Sequence, residues 1–180
     1  GGLRELSDFK KNPVIIDNNF LASSTSHFDR VIDMLIPFGW ADFNQGLDAR
    51  LLTPYHAARI AEIKTPTVRL ALDHSSYTSQ WDDAFEMLRS AGIAKNRIMT
   101  YVLAGYKDSP EDAWRRAEYV ESHGSLALPM WFHPLDALIQ NKVYDFQEKN
   151  GWNDYERKRI MGWYYRHRGE RYDIETGGVK

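Results

Sequence analysis

A short apolar strand, a cluster of polar residues and then a helix recur five times along this chain at nearly constant spacing. The residues that end the strands, Asp17, Gln45, Asp73, Gly105 and Trp131, are separated by 28, 28, 32 and 26 residues, the period of a repeated strand–helix unit. Right-handed crossovers then make successive strands parallel and adjacent. The expected fold class is α/β, a partial TIM-like (β/α) barrel of about five parallel βα units with a C-terminal helix. A closed eight-stranded barrel takes about 250 residues, more than the 180 present, so the barrel is expected to be open. A doubly wound sheet is the competing layout, because periodicity does not say whether helices cover one face or two.

The units are read as one domain, 1–180, with the βα repeats in 14–135. Val14 to Ile16 is the first strand, and Ser23 to Ser26 offer caps for a helix that turns Phe28, Val31, Ile32 and Leu35 inward and stops at Gly39. Ala41 to Leu47 is the second strand. Thr53 and Pro54 cap and start a helix whose Tyr55, Ala58, Ala61 and small neighbours recur at helical spacing, ended by Pro66. Val68 to Leu72 is the third strand, followed by a helix with Trp81, Ala84, Phe85 and Leu88 inward and Gly92 beyond its end. Ile98 to Leu103 is the fourth, followed by Ser109-Pro110-Glu111-Asp112 as cap, first-turn proline and early acids of a helix bearing Trp114, Ala117 and Val120. Leu126 to Phe132 is the fifth. A polar loop and a terminal helix from about Asn153 to Arg168 complete the pattern, with a loose tail from Tyr172.

Composition narrows the chemistry. The chain is 43% hydrophobic and 27% charged with a formal net charge of −2, a globular balance that gives no bulk attraction to nucleic acid. It has no cysteine, which excludes disulfides, thiolate metal sites and a cysteine nucleophile within these residues. No apolar run reaches the roughly 18–20 residues of a membrane span, and no signal peptide opens the chain. A cytoplasmic location without membrane contact is expected. Gly1-Gly2 reads as an addition ahead of a boundary cut close to the first strand.

In a parallel sheet the strand ends would bring Asp17, Asn18, Asn19, Asn44, Gln45, Asp48, Arg50, Asp73, His74, Tyr106, Trp131 and His133 to one rim, a polar pocket with aromatic walls for a small ligand. Each acid or amide taken singly is as readily a helix cap. His133, with His74 and Asp73, is the candidate for acid–base work. His27, His56 and His123 fall on helices and lack the four-residue spacing of a metalloprotease, so no metal site is expected. Gly-rich phosphate loops are absent. Arg157, Lys158, Arg159, Arg166, His167, Arg168 and Arg171, interleaved with Tyr155, Trp163, Tyr164 and Tyr165, form a mixture able to grip phosphates and stack bases, although an amphipathic helix docking its aromatics accounts for it more simply.

The stretches Ile16-Asp17-Asn18-Asn19-Phe20-Leu21, Phe43-Asn44-Gln45-Gly46-Leu47-Asp48-Ala49-Arg50, Leu70-Ala71-Leu72-Asp73 and Tyr101-Val102-Leu103-Ala104-Gly105, in this order, resemble the barrel of radical S-adenosylmethionine (radical SAM) proteins from about residue 14 to 135. The resemblance implies that Asp17-Asn18-Asn19 stands where the family has the Gly-Gly-Glu stretch that holds the amino group of SAM. It also implies that Asn44, Gln45 and Asp48 line the cavity and that Asp73 lies near the ribose. Tyr101 to Gly105 would form the adenine wall, and Pro129 to His133, with Trp131, would close it. The family's CxxxCxxC loop for a [4Fe-4S] cluster is absent, so the cluster would belong to a longer natural protein. The complete polypeptide would cleave SAM to a 5′-deoxyadenosyl radical acting on a small-molecule substrate. This segment alone is expected to be inactive in that reaction.

Two other readings stay open: a small-molecule lyase or isomerase on a TIM-like scaffold using His133 or His74 with Asp73 or Asp17, and a non-enzymatic module whose basic helix contacts nucleic acid or a partner protein. A first strand left as a sheet edge further predicts a homodimer or a marginal fold.

Overall fold

The computed structural model describes residues 4–17, 19–163, 172–173 and 178–179. The fold is α/β. A five-stranded parallel sheet runs in the order β1 (Val14–Ile15), β2 (Trp40–Leu47), β3 (Thr65–Ala71), β4 (Ile98–Ala104), β5 (Leu126–Trp131). Its strands are joined by α1 (Thr25–Leu35), α2 (Pro54–Ala61), α3 (Thr78–Ser90) and α4 (Pro110–Ser122), and β5 is followed by α5 (Asp145–Glu148) and α6 (Asp154–Met161). Near the C-terminus, β6 (Tyr172–Asp173) pairs antiparallel with β7 (Gly178–Val179). The residues fall into two compact units, Gly1–Ala71 with Tyr77–Met99, and Leu72–Ser76 with Thr100–Lys180.

In the first unit β1 pairs with β2 through Val14 and Ile15, and β2 pairs with β3 from Trp40 opposite Thr65. Ser24 caps α1 by accepting the His27 N–H, and Thr53 does the same for α2 through His56. The predicted inner faces of α1 and α3 are those found, with Phe28, Val31, Ile32 and Leu35 buried on one and Trp81, Ala84, Phe85 and Leu88 on the other. Helix α2 departs from expectation. Its buried residues are Ala57 and Ile60, whereas Tyr55 and Ala58 are exposed. Tyr55 instead donates its hydroxyl to Asp29 of α1 at 2.6 Å, and Arg59 binds Asp29, Asp33 and Glu62. Burial of Ala57 and Ile60 sets the inner face of this short helix, and the outer residues pair with the acids of α1. Pro66 does not end α2 but stands second in β3, at the start of a strand, where a missing N–H is tolerated. Asp42 and Arg69 form an ion pair between β2 and β3.

In the second unit the Leu72 N–H donates to Tyr101 O and the Phe132 N–H to Ala104 O, both at 2.8 Å, continuing the strand ends. Helix α4 opens with the expected Ser109–Asp112 capping box. Its buried face carries Ala113, Arg116, Ala117 and Val120, with Trp114 half-buried. Trp114 packs edge-on against Trp163 at 4.5 Å under the guanidinium of Arg159. Helix α6 is described over eight residues, and the remainder of the expected terminal helix, with Tyr164, Tyr165 and the arginines after it, lies outside the described residues.

Candidate functional site

The second unit holds three strand ends. After β3, Asp73 and His74 are exposed, and His74 Nδ1 accepts the Ser76 N–H at 3.1 Å with the Ser76 hydroxyl 2.9 Å away. The ring is therefore held back against its own turn. After β4, Gly105 has φ +85 and Lys107 φ +54, so the chain turns sharply and leaves Tyr106 41% exposed. The Tyr106 ring lies 4.6 Å from Phe132, which follows β5, and Lys107 Nζ lies 5.4 Å over the Tyr106 ring. His133 comes next. Its Nδ1 is shielded from solvent and makes no hydrogen bond, an unsatisfied polar atom of the kind that native proteins rarely keep without a use.

This turn is clamped from beneath. Asp108 accepts the Gly105 N–H at 2.9 Å and the Arg116 guanidinium at 2.5 Å, and Arg116 also donates to Leu103 O at 2.6 Å. Both side chains of the pair are only 3% exposed. The Trp152 indole N–H donates to Asp108 O at 2.8 Å, and Gln147 Nε2 donates to Gly105 O at 2.9 Å. Burial pushes the Asp108 carboxyl above its ordinary value, against the pull of Arg116 and the Gly105 N–H. A Cβ on Gly105 would come within 2.8 Å of both the Trp131 ring and Gln147 Nε2, so only glycine fits. Trp131 is buried, packs edge-on against Trp152 and donates to Lys142 O. Gly105 and Trp131 thus pack against each other and against Gln147 and Trp152 at the ends of β4 and β5. Tyr101 is half-buried in β4.

In the first unit, Asp17 is exposed and accepts the Asn19 N–H at 2.9 Å, closing the turn after β1, while Asn19 O accepts the Ala22 N–H. Asn18 lies outside the described residues. At the end of β2 the register jumps: Phe43 pairs with Val68 but Leu47 pairs with Leu70, so Asn44, Gln45 and Gly46 stand opposite the single residue Arg69. Gly46 takes φ +86 in this bulge. Such bulges re-aim side chains beside sites, and Gln45 is accordingly exposed and Asn44 half-buried. Asp48 caps the turn Ala49–Leu51 and grips Arg50 in a two-pronged pair, Oδ1 to Nε 2.9 Å and Oδ2 to Nη2 2.7 Å. The pair holds the Asp48 carboxyl below its ordinary range, and the Arg50 guanidinium lies 5.0 Å from the Tyr77 ring.

The residues missed in the sequence were Asp108, Arg116, Gln147 and Trp152. One signal was present. Arg116 lies at helical spacing from Ala113 and Val120, and a buried arginine requires an acid. Gln147 and Trp152 carried no comparable mark, because their partners are backbone atoms distant in sequence. Among the described residues no group of three or more His, Asp or Glu side chains could hold a metal ion, and no helix is long and apolar enough to cross a membrane. No family model, no curated protein and no solved structure matches the chain.

Proposed function

We propose that this chain is the SAM-holding and substrate-lining part of a radical SAM barrel. The carrying observation is the strand order, five parallel strands in sequence order without reversal. A doubly wound sheet reverses at a switch point. With right-handed crossovers an unreversed order sends each helix to the same face, as in a barrel. In that fold the ligand site is built at the carboxyl ends of the strands, where this chain gathers its polar and aromatic residues.

The second unit's strand ends fit the adenosine part of SAM. The exposed Tyr106 ring, backed by Phe132, gives a base a stacking surface. The exposed Asp73 offers a carboxylate suited to ribose hydroxyls, and the clamp at Asp108 keeps the Tyr106 turn rigid. SAM, reduced by an iron–sulfur cluster, supplies the group that removes a hydrogen atom from substrate in this family. The chain contains no cysteine, so its residues do not fit a cluster and no step is assigned to one here.

Calorimetric titration with SAM and S-adenosylhomocysteine tests the reading, with methionine as control. Saturable binding is expected, weakened about tenfold or more in Tyr106→Ala, the loss of one base–aromatic stack. Absence of binding to either nucleoside at millimolar concentration would sink the proposal. Reading the natural frame upstream for CxxxCxxC tests the radical reaction separately from SAM binding. A second reading, acid–base catalysis by His133, is favoured by its unsatisfied Nδ1; it requires a bell-shaped pH profile that disappears in His133→Ala.

A further inference from the structure

His56 stands in the first turn of α2, at its contact with α1. Thr53 Oγ1 accepts its backbone N–H at 3.2 Å, and its imidazole lies 4.7 Å from the ring of Phe28, which is 1% exposed. His56 Nδ1 is shielded from solvent and makes no hydrogen bond. A neutral imidazole tolerates this, because one of its two nitrogens carries no hydrogen, whereas the imidazolium carries N–H on both. Protonation therefore puts a shielded N–H where no acceptor waits, and a buried donor without a partner is costly.

The charged groups around the ring are engaged elsewhere. Asp29 of α1 is the acid that acts on His56, but its Oδ1 already accepts the Tyr55 hydroxyl at 2.6 Å and Arg59 Nε at 3.1 Å. Arg59 also holds Asp33 of α1 and Glu62 at the end of α2. In the turn Ala49–Leu51 ahead of α2, Arg50 is held by Asp48. A cation in the first turn of a helix further opposes the helix dipole. Burial pushes the ring below its ordinary value, against the Leu51 carbonyl and Asp29, which favour the charged form. A ring that binds its proton less tightly folded than unfolded keeps its contact above the unfolded value near 6.5 and loses it as pH falls through the folded value.

We propose that His56 is an acid-operated latch between α1 and α2. Neutral, the ring seats α2 against Phe28; protonated, it releases α2 and the turn Ala49–Leu51 that leads into it. Phe28 stays packed on Phe20 at 5.0 Å, so the opening is confined to α2 and that turn. The latch stands independently of the SAM reading.

The test is NMR of the full chain between about pH 8 and about pH 5, reading the His56 ring and, in parallel, the hydrogen-exchange protection of backbone amides corrected for their intrinsic rates. His56 should titrate below the 6.5 of a free histidine. Over the same range the amides of α2 should lose protection at least about fivefold, the low end for a buried N–H left without an acceptor, while those of α1 keep theirs. His56→Phe keeps a ring on Phe28 without a titrating group and should abolish the pH dependence of α2. Asp29→Asn removes the acid that favours the charged ring and should carry the His56 titration and the loosening of α2 to lower pH together, so the idea stays testable if His56→Phe folds poorly. A His56 midpoint at or above 6.5 would overturn the latch. So would α2 protection that does not change through the titration of His56, or a loosening that persists in His56→Phe or stays put when Asp29→Asn moves the histidine.

Discussion

Replacing Arg116 with methionine isolates the clamp under the Tyr106 turn. The substitution keeps a long apolar stem but removes the guanidinium from a pair whose two side chains are 3% exposed. Breaking a buried ion pair by removing one partner costs about 3–5 kcal/mol, which for a chain of this size is a fall of roughly 5–20 °C in melting temperature. The loss must depend on pH. Burial already holds the Asp108 carboxyl above its ordinary value, and without Arg116 its largest opposing pull is gone, so the folded pKa moves further up. A carboxyl raised in the folded state binds its proton more tightly there than in the unfolded chain. Its stability is fully present below the unfolded value near 3.9 and is lost as pH rises through the folded value. Arg116→Met should therefore recover part of its deficit near pH 5 relative to about pH 8. The double variant Asp108→Asn/Arg116→Met, with no charge left, should be more stable than Arg116→Met at about pH 8 and lack this slope. Thermal unfolding followed by circular dichroism at several pH values reads both. A deficit under about 1 kcal/mol, or one identical at both ends of the range, would refute the assignment of a buried charge pair.

Other variants separate conformational cost from crowding. Gly92 takes φ +94 with open space where a Cβ would go, while Gly105 takes φ +85 with Trp131 and Gln147 at 2.8 Å; in chemical denaturation Gly92→Ala should lose about 1–2 kcal/mol and Gly105→Ala clearly more. Trp81 is fully buried, and Trp81→Ala should lose about 3–5 kcal/mol in the same assay. Arg30→Ala removes the donors to the Leu6 and Ser7 carbonyls and should speed limited proteolysis within 4–12, while the unfolding transition followed by tryptophan fluorescence stays where it was. Asp48 is held below its ordinary range by the side chain and backbone N–H of Arg50, so its share of stability is present above the unfolded value and lost as pH falls through the folded one; Arg50→Met, which keeps the backbone N–H, should reduce that acid-side dependence.

The βα period was legible in the sequence because each unit repeats the same local demands: a β-branched run, a polar turn, a capped amphipathic helix. The buried stripes of α1 and α3 followed from 3.6-residue periodicity, since both helices are long enough to make the pattern unambiguous. Helix α2 has eight residues, little more than two turns, too few for periodicity to separate the face of Ala57 and Ile60 from that of Tyr55 and Ala58. Local turns around Asp17, Asp48 and Ser109 were also readable, being closed by neighbours two or three residues apart. The bulge that places Asn44, Gln45 and Gly46 opposite Arg69 was not, because register is a property of two strands. Nor was the clamp of Asp108, Arg116, Gln147 and Trp152 around Gly105, whose partners are up to 44 residues apart. Short-range chemistry determines which elements form and where their polar ends lie; only tertiary packing decides which of those polar groups are already satisfied by the chain and which are left for a ligand.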